Sequence, residues 1–92
     1  MMFNAANKPQ RKLRVLLSKP MEFELFADSS GRQFLKVLCG GIGAFEVCIA
    51  LTAEEVERYV ELGDSFVEKL ALDIQRSPQT FASRAFSMPP GA

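Results

Sequence analysis

Carboxylates are the side chains most able to do chemistry in this chain of 92 residues, which contains no histidine and only two cysteines. Five acidic residues recur at intervals of three or four, the spacing that places side chains on one face of a helix. They are Glu54, Glu57, Glu61, Asp64 and Glu68. Acid–base catalysis by such carboxylates requires one of them to be desolvated in a cleft. This stripe faces away from the apolar stripe of the same segment, so we expect a solvated surface that binds a protein partner and no enzymatic activity.

The two thiols, Cys39 and Cys48, are too few for a disulfide scaffold or a metal site made of cysteines, and no histidine can serve as a second type of ligand. Neither has an adjacent cationic residue in the sequence that would favour a thiolate. In the strand register predicted below they lie two cross-strand steps apart, too far for a disulfide. We predict two reduced, unreactive thiols, no metal and no cofactor.

The glycine-rich stretch over residues 40–43, Gly-Gly-Ile-Gly, could point several backbone N–H groups at a phosphate. Its spacing fits neither the dinucleotide fingerprint G-x-G-x-x-G nor a P-loop, and the segment after it has the pattern of a strand, not of a helix. We interpret it as a strand connection in which glycine supplies a positive φ.

Charge is balanced overall, with eleven basic and eleven acidic residues, but it is unevenly distributed. Residues 1–20 carry five bases and no acid, whereas residues 53–76 carry seven acids and three bases. The basic arm could fold onto the acidic helix, or it could track a nucleic-acid backbone, although five positive charges without interleaved aromatic residues make a weak, sequence-independent binder. The acidic helix could instead bind a basic protein partner. We favour the protein partner and keep nucleic-acid association through the basic arm as the alternative.

The elements that would position these residues are four strands and one helix. Alternating apolar residues and turn signals predict strands over residues 13–18, 21–28, 33–39 and 44–51. The connections are Ser30-Gly31, which suits a two-residue hairpin loop, and the glycine-rich stretch. The sequence therefore predicts an α+β fold, an antiparallel β-meander of about four strands followed by one long C-terminal helix packed on one sheet face.

These two loops also fix a register, in which the numbers of paired residues sum to 61 and then to 83. One face is then almost entirely apolar, and the other is mixed with an apolar cluster. The cluster contains Phe26, Leu35 and Val37. Because the chain offers no second helix to cover it, we predict that this bare sheet face mediates self-association as a homodimer.

The helix begins at a clear signal, the sequence Thr-Ala-Glu-Glu at residues 52–55, which forms a capping box between Thr52 and Glu55. Apolar residues recur from Val56 onwards at helical spacing, and Ser77-Pro78 ends the helix. Gly63 lies inside the apolar stripe. We interpret it as a close approach of the helix to a strand, with a functional hinge as the alternative.

The same patterns divide the chain into a flexible basic arm over residues 1–12, one domain over residues 13–78 and a flexible tail over residues 79–92. No apolar run approaches the roughly 18 residues that would span a membrane. Leu13–Leu17 is too short for the core of a signal peptide. We therefore expect a cytoplasmic protein without a membrane partner.

The segment from Leu51 to Arg84 resembles the C-terminal helix of small bacterial proteins of the immunity type, which neutralise a toxin by binding it. The resemblance covers about a third of the chain. Beyond features common to many helices, it is carried by Tyr59, Gly63, Pro78 and Phe81. It implies a non-catalytic binding protein of the immunity, inhibitor or adaptor type.

Overall fold

Four antiparallel strands form the sheet in the computed structural model, which describes residues 13–40 and 43–86. The strands are β1 (Arg14–Lys19), β2 (Phe23–Ala27), β3 (Gln33–Cys39) and β4 (Phe45–Ala50). Their order in the sheet follows the chain, so each strand pairs with its neighbours in sequence. The predicted antiparallel meander is confirmed.

Helices follow the sheet, as an α+β fold requires, but the single long helix predicted from the sequence is wrong. The segment forms α1 (Ala53–Leu62), α2 (Asp64–Arg76) and a 3₁₀ helix (Pro78–Arg84). The last of these takes up part of the segment that was predicted to be a flexible tail. The predicted basic arm, residues 1–12, lies outside the described residues.

Gly63 separates α1 from α2 because of its backbone conformation. It has φ 75° and ψ −157°, a combination that only glycine adopts without strain. Its N–H donates to the carbonyl of Tyr59 and ends α1, while its own carbonyl accepts from Phe66 in the first turn of α2. A Cβ built on Gly63 would meet nothing within 4 Å, so the interpretation as a close helix–strand approach is wrong.

The register differs by one residue from the prediction at both connections of β3. Phe23 pairs with Val37 and Phe34 pairs with Ala50, which gives sums of 60 and 84. Both differences affect β3. The side chains of β2 and β4 lie on their predicted faces of the sheet, whereas each side chain of β3 lies on the face opposite to the one predicted for it.

The turn between β2 and β3 explains the first difference. Asp28 Oδ1 accepts hydrogen bonds from Ser30 N at 3.0 Å, Ser30 Oγ at 2.6 Å and Arg32 N at 3.0 Å. The N–H of Asp28 also donates to the carbonyl of Arg32, which leaves a three-residue loop that ends at Gly31 with φ 93°. A three-residue loop with glycine in its last position is a common hairpin connection, and it moves the pairing by one residue from the predicted two-residue loop.

The core lies between α2 and one face of the sheet. The centre of this face is a row of paired side chains across three strands, Leu25, Leu35 and Ile49, none of which is exposed. Four buried residues of α2 pack against it, Val67, Leu70, Ala71 and Ile74. At the edge strand β1 the register shifts at Leu16, so that Leu16 and Leu17 both reach the core.

The C-terminal segment folds back along the outer edge of β4. Ala85 forms an isolated antiparallel bridge with Ile49, and the N–H of Phe86 donates to the carbonyl of Cys48 at 3.0 Å. Phe81 in the 3₁₀ helix packs partly against the core. The segment therefore covers one end of this sheet edge and brings Phe86 to the sheet face opposite the helices.

Candidate functional site

The five acidic residues singled out in the sequence are all exposed, but they do not form one continuous stripe. Glu54, Glu57 and Glu61 lie on α1, while Asp64 and Glu68 lie on α2 beyond the break at Gly63. The structure therefore brings the first three together on one short helix. The other two belong to the helix that supplies the core.

None of the ten residues of helix α1 is buried, which is also true of the edge strand β1 and of the 3₁₀ helix. Val56 and Tyr59 are half-buried against the rest of the molecule. Val60 is 78% exposed and Leu62 is 56% exposed. The helix thus contributes little to the core, and it presents large apolar side chains to water.

The exposed side of α1 combines an apolar side chain with negative charge. Glu57 lies three residues before Val60 and is its neighbour on the helix surface, while Glu61 lies four residues after Glu57 and extends the same acidic side. Glu54 forms an exposed ion pair with Arg58 at 3.8 Å, and among the described residues Glu57 and Glu61 form none. We name the surface made by Glu54, Glu57, Val60 and Glu61 the α1 surface.

A network of hydrogen bonds fixes the beginning of α1. Thr52 Oγ1 accepts from the N–H of Glu55 at 3.1 Å, and Glu55 Oε1 accepts from the N–H of Thr52 at 2.9 Å, which is the predicted capping box. Arg84 then donates to both carboxylate oxygens of Glu55, from Nη2 to Oε1 at 2.7 Å and from Nη1 to Oε2 at 3.1 Å. Its Nη2 also donates to the carbonyl of Ala50 at 2.9 Å. One arginine therefore joins β4, α1 and the 3₁₀ helix, and we call this the Arg84 clasp.

The clasp also determines the ionisation of Glu55. Burial disfavours the charged carboxylate, but the hydrogen bonds and charge of Arg84, together with the hydrogen bonds at Thr52, outweigh it and lower the pKa of Glu55 below its ordinary value. Sequence reasoning identified Glu55 as a cap residue and missed Arg84, which lies 29 positions further along. In the sequence, the only signal for the role of Arg84 was that a basic residue lies in the segment after Ser77-Pro78. The same pattern fits a disordered tail.

The predicted self-association patch is wrong in its composition, because the register of β3 divides it between two faces. Leu35 and Val37 have no exposed surface and lie in the core beneath α2. Phe26 lies on the opposite face of the sheet, where it is paired with Phe34 of the neighbouring strand β3. These three residues cannot form one surface.

The opposite sheet face is also less bare than the sequence suggested. Phe26 is only 5% exposed and Phe34 is 3% exposed, although no described helix packs on them. The ring of Phe86 meets the ring of Phe34 edge to face at 5.6 Å. Lys36 lies over the ring of Phe26 with its Nζ 5.5 Å from the centroid, and Arg32 lies over Phe34 in the same way. Aromatic and cationic side chains thus cover much of this face.

The two thiols occupy different environments. Cys39 lies in the core beside α2, where burial raises the pKa of its thiol, and Cys48 is buried on the other side of the sheet. Neither forms a disulfide within the described part of the chain, and the sheet between them prevents one that would join the two. Over residues 13–40 and 43–86 the structure holds no group of three potential metal ligands and no helix that could cross a membrane.

Comparison with known proteins adds no assignment, since no family model, curated protein or solved structure matches this chain.

Proposed function

We propose that this protein is a small non-enzymatic binding module whose α1 surface binds a basic segment of a protein partner. The observation that carries the proposal is that α1 buries none of its residues yet is fixed at its N-terminus by the capping box and the Arg84 clasp. A helix of ten residues is marginal in water by itself. The fold therefore holds α1 in a helical conformation while its outer side remains exposed for a partner to bind.

The composition of the α1 surface fits a protein interface. Interfaces commonly combine an apolar anchor at the centre with a polar rim that excludes water. Val60 would supply the anchor, and Glu57 and Glu61 would supply the rim. A partner segment with an apolar side chain beside lysine or arginine residues would complement both.

Charge supports the choice of a basic partner. The α1 surface contains three carboxylates, and the one arginine of this helix, Arg58, already pairs with Glu54. Complementary charge raises the rate of association and disfavours acidic competitors. A second copy of α1 would meet like charges, so the same surface is poorly suited to self-association.

The exposure of these carboxylates also favours binding over catalysis. A carboxyl group that transfers protons in an active site is usually desolvated, so that its pKa lies near the working pH. Glu54, Glu57 and Glu61 are exposed to water, and the less exposed carboxylate of the helix, Glu55, is engaged in the clasp. The resemblance to immunity-type proteins implies a binder of the same kind.

Affinity capture from a lysate of the native organism tests the proposal. The tagged full chain is compared with Glu57→Lys/Glu61→Lys on α1 and with Glu68→Lys/Asp73→Lys, which makes the same charge change on α2. We expect one defined protein rich in lysine or arginine to be retained by the wild type and by the α2 variant, and lost by the α1 variant. Capture of the same proteins by all three chains would contradict the proposal.

A further inference from the structure

The turn between β1 and β2 holds a strained and exposed methionine. The N–H of Glu22 donates to the carbonyl of Lys19 at 2.9 Å, with Pro20 and Met21 as the central residues of the turn. Met21 has φ 68°, and it is the one described residue other than glycine with a positive φ. A turn with proline followed by a residue of positive φ favours glycine or asparagine in the second place.

The side chain of Met21 gains little within the chain in return for this strain, because it is 83% exposed. Residues held in sparsely populated backbone conformations cluster at functional sites. Methionine is also a flexible, polarisable side chain that is common at binding surfaces. Met21 thus has the character of an anchor for an intermolecular contact.

An open cavity of about 280 Å³ lies beside this turn. Apolar parts of Met21, Phe23 and Leu38 line it together with charged side chains. Lys36 reaches between two carboxylates at its wall, with Nζ 3.4 Å from Glu24 Oε1 and 3.9 Å from Glu46 Oε2. The cavity can therefore receive an apolar side chain at its centre and a charged side chain of either sign at its edge.

The turn and the cavity together form a self-complementary patch. It carries a projecting apolar side chain, an opening next to it, two lysines and three glutamates, since Lys19 and Glu22 add a further pair at 3.8 Å. In a two-fold symmetric dimer the same surface of both copies forms the contact, so this surface must carry both a projecting side chain and an opening that accepts it, and both positive and negative charges. The acidic α1 surface lacks this property.

We propose that a second copy of this chain binds at the β1–β2 turn, with Met21 of each copy inserted into the cavity of the other. Lysine and glutamate side chains around the two cavities then pair across the two-fold axis. The proposal is independent of the α1 surface. It retains self-association, and it replaces the predicted patch of Phe26, Leu35 and Val37 by Met21 and the residues around it.

Sedimentation equilibrium of the full chain tests this proposal over concentrations from about 1 µM to about 1 mM, where small interfaces associate. We expect the wild-type mass to rise from one chain to two. Met21→Gly should weaken the association at least about tenfold because it removes a central anchor. The same variant should unfold at the same temperature as the wild type or higher, since glycine relieves the positive φ. Leu72→Ala is the matched control, because Leu72 is an exposed apolar residue on α2 outside both proposed surfaces, and it should associate like the wild type.

A second measurement identifies the contact itself. In a mixture of isotope-labelled and unlabelled chains, the Met21 methyl group should show intermolecular nuclear Overhauser effects to the methyl groups of Leu38. A wild type that stays monomeric throughout the range would overturn the proposal. So would a Met21→Gly variant with unchanged association, or intermolecular contacts from a different face.

Discussion

Helices α1 and α2 lie on either side of Gly63, and both have an amphipathic sequence, yet the fold uses them differently. Four residues of α2 are buried against the sheet, whereas α1 has no buried residue and exposes Val60 and Leu62. Apolar side chains at helical spacing show that a helix has an apolar side. They do not show that the side is buried. Here α2 supplies the buried core residues, and α1 is held by polar contacts at its beginning and by the half-buried Val56 and Tyr59.

Removing a core side chain from α2 should lower the stability of the fold more than any change in α1. Ile74 has no exposed surface, so Ile74→Ala should lower the free energy of unfolding by about 3 kcal/mol through lost burial and the cavity that remains. Leu72→Ala is the matched control on the same helix, because Leu72 is 43% exposed, and it should cost less than about 1 kcal/mol. Urea unfolding measures both. Equal losses would show that α2 does not pack as described.

A substitution at the break tests whether the two helices are really separate. Gly63→Ala should lower the free energy of unfolding by about 2 kcal/mol, because alanine is strained at φ 75° and ψ −157°. The open space around the position means that no steric clash contributes. If α1 and α2 instead formed one continuous helix, the same change would raise stability by about 1 kcal/mol. The sign of the change in urea unfolding therefore decides between the two.

Loss of the Arg84 clasp should affect α1 more than α2. Arg84→Ala removes three hydrogen bonds, two of them to Glu55, and we expect a loss of about 1 to 2 kcal/mol in the free energy of unfolding. Hydrogen exchange should accelerate in α1 while the amides of α2 near Ile74 stay protected. Arg58→Ala, which breaks only an exposed ion pair with Glu54, serves as the control and should cost less than about 0.5 kcal/mol. Uniform acceleration across both helices would contradict a local role for the clasp.

Acid should weaken the attachment of α1 through Glu55. Because the folded state lowers the pKa of Glu55, that state binds fewer protons than the unfolded chain, and the stabilisation is present above the ordinary pKa of 4.5. It is lost as the pH falls from 4.5 through the lower pKa of the folded state. Glu55→Gln, which still fits a capping box, should reduce the dependence of stability on pH over this acidic range. We expect this effect to be smaller than that of Arg84→Ala.

An exposed residue of the same helix supplies the control for this titration. Glu57→Gln removes a carboxylate from the same helix and leaves the clasp intact, because Glu57 forms no ion pair with any described residue. If both variants changed the profile equally, the effect would arise from the overall charge of α1 and not from the clasp.

The sequence predicted the features that depend on local pattern. Alternation predicted the order of the strands, and Thr52 with Glu55 predicted the start of the helix, because each signal acts within a few residues. The register of β3 depended on a single residue of loop length, decided by the three hydrogen bonds to Asp28 Oδ1. That difference alone moved Leu35 and Val37 from the predicted surface to the core.

Two further features depend on conformation or on distant partners. Gly63 in a helical pattern has several explanations, and only its backbone angles show that it ends one helix and begins another. Arg84 finds Glu55 and Ala50 through the fold, with no periodic pattern that links them. The acidic residues of α1 were identified correctly as exposed, whereas their division from Asp64 and Glu68 follows from the break.

Photo-crosslinking from α1 tests the central claim most directly. A photoreactive amino acid is placed at Val60, the apolar member of the α1 surface, or at Leu72 as the control on α2, and the full chain is irradiated in a lysate of the native organism. We predict a specific crosslink to one basic protein from position 60, abolished by Glu57→Lys/Glu61→Lys, and none to that protein from position 72. Equal labelling from both positions, or a crosslink from position 60 that survives the charge reversal, would contradict the account of α1 as the binding helix.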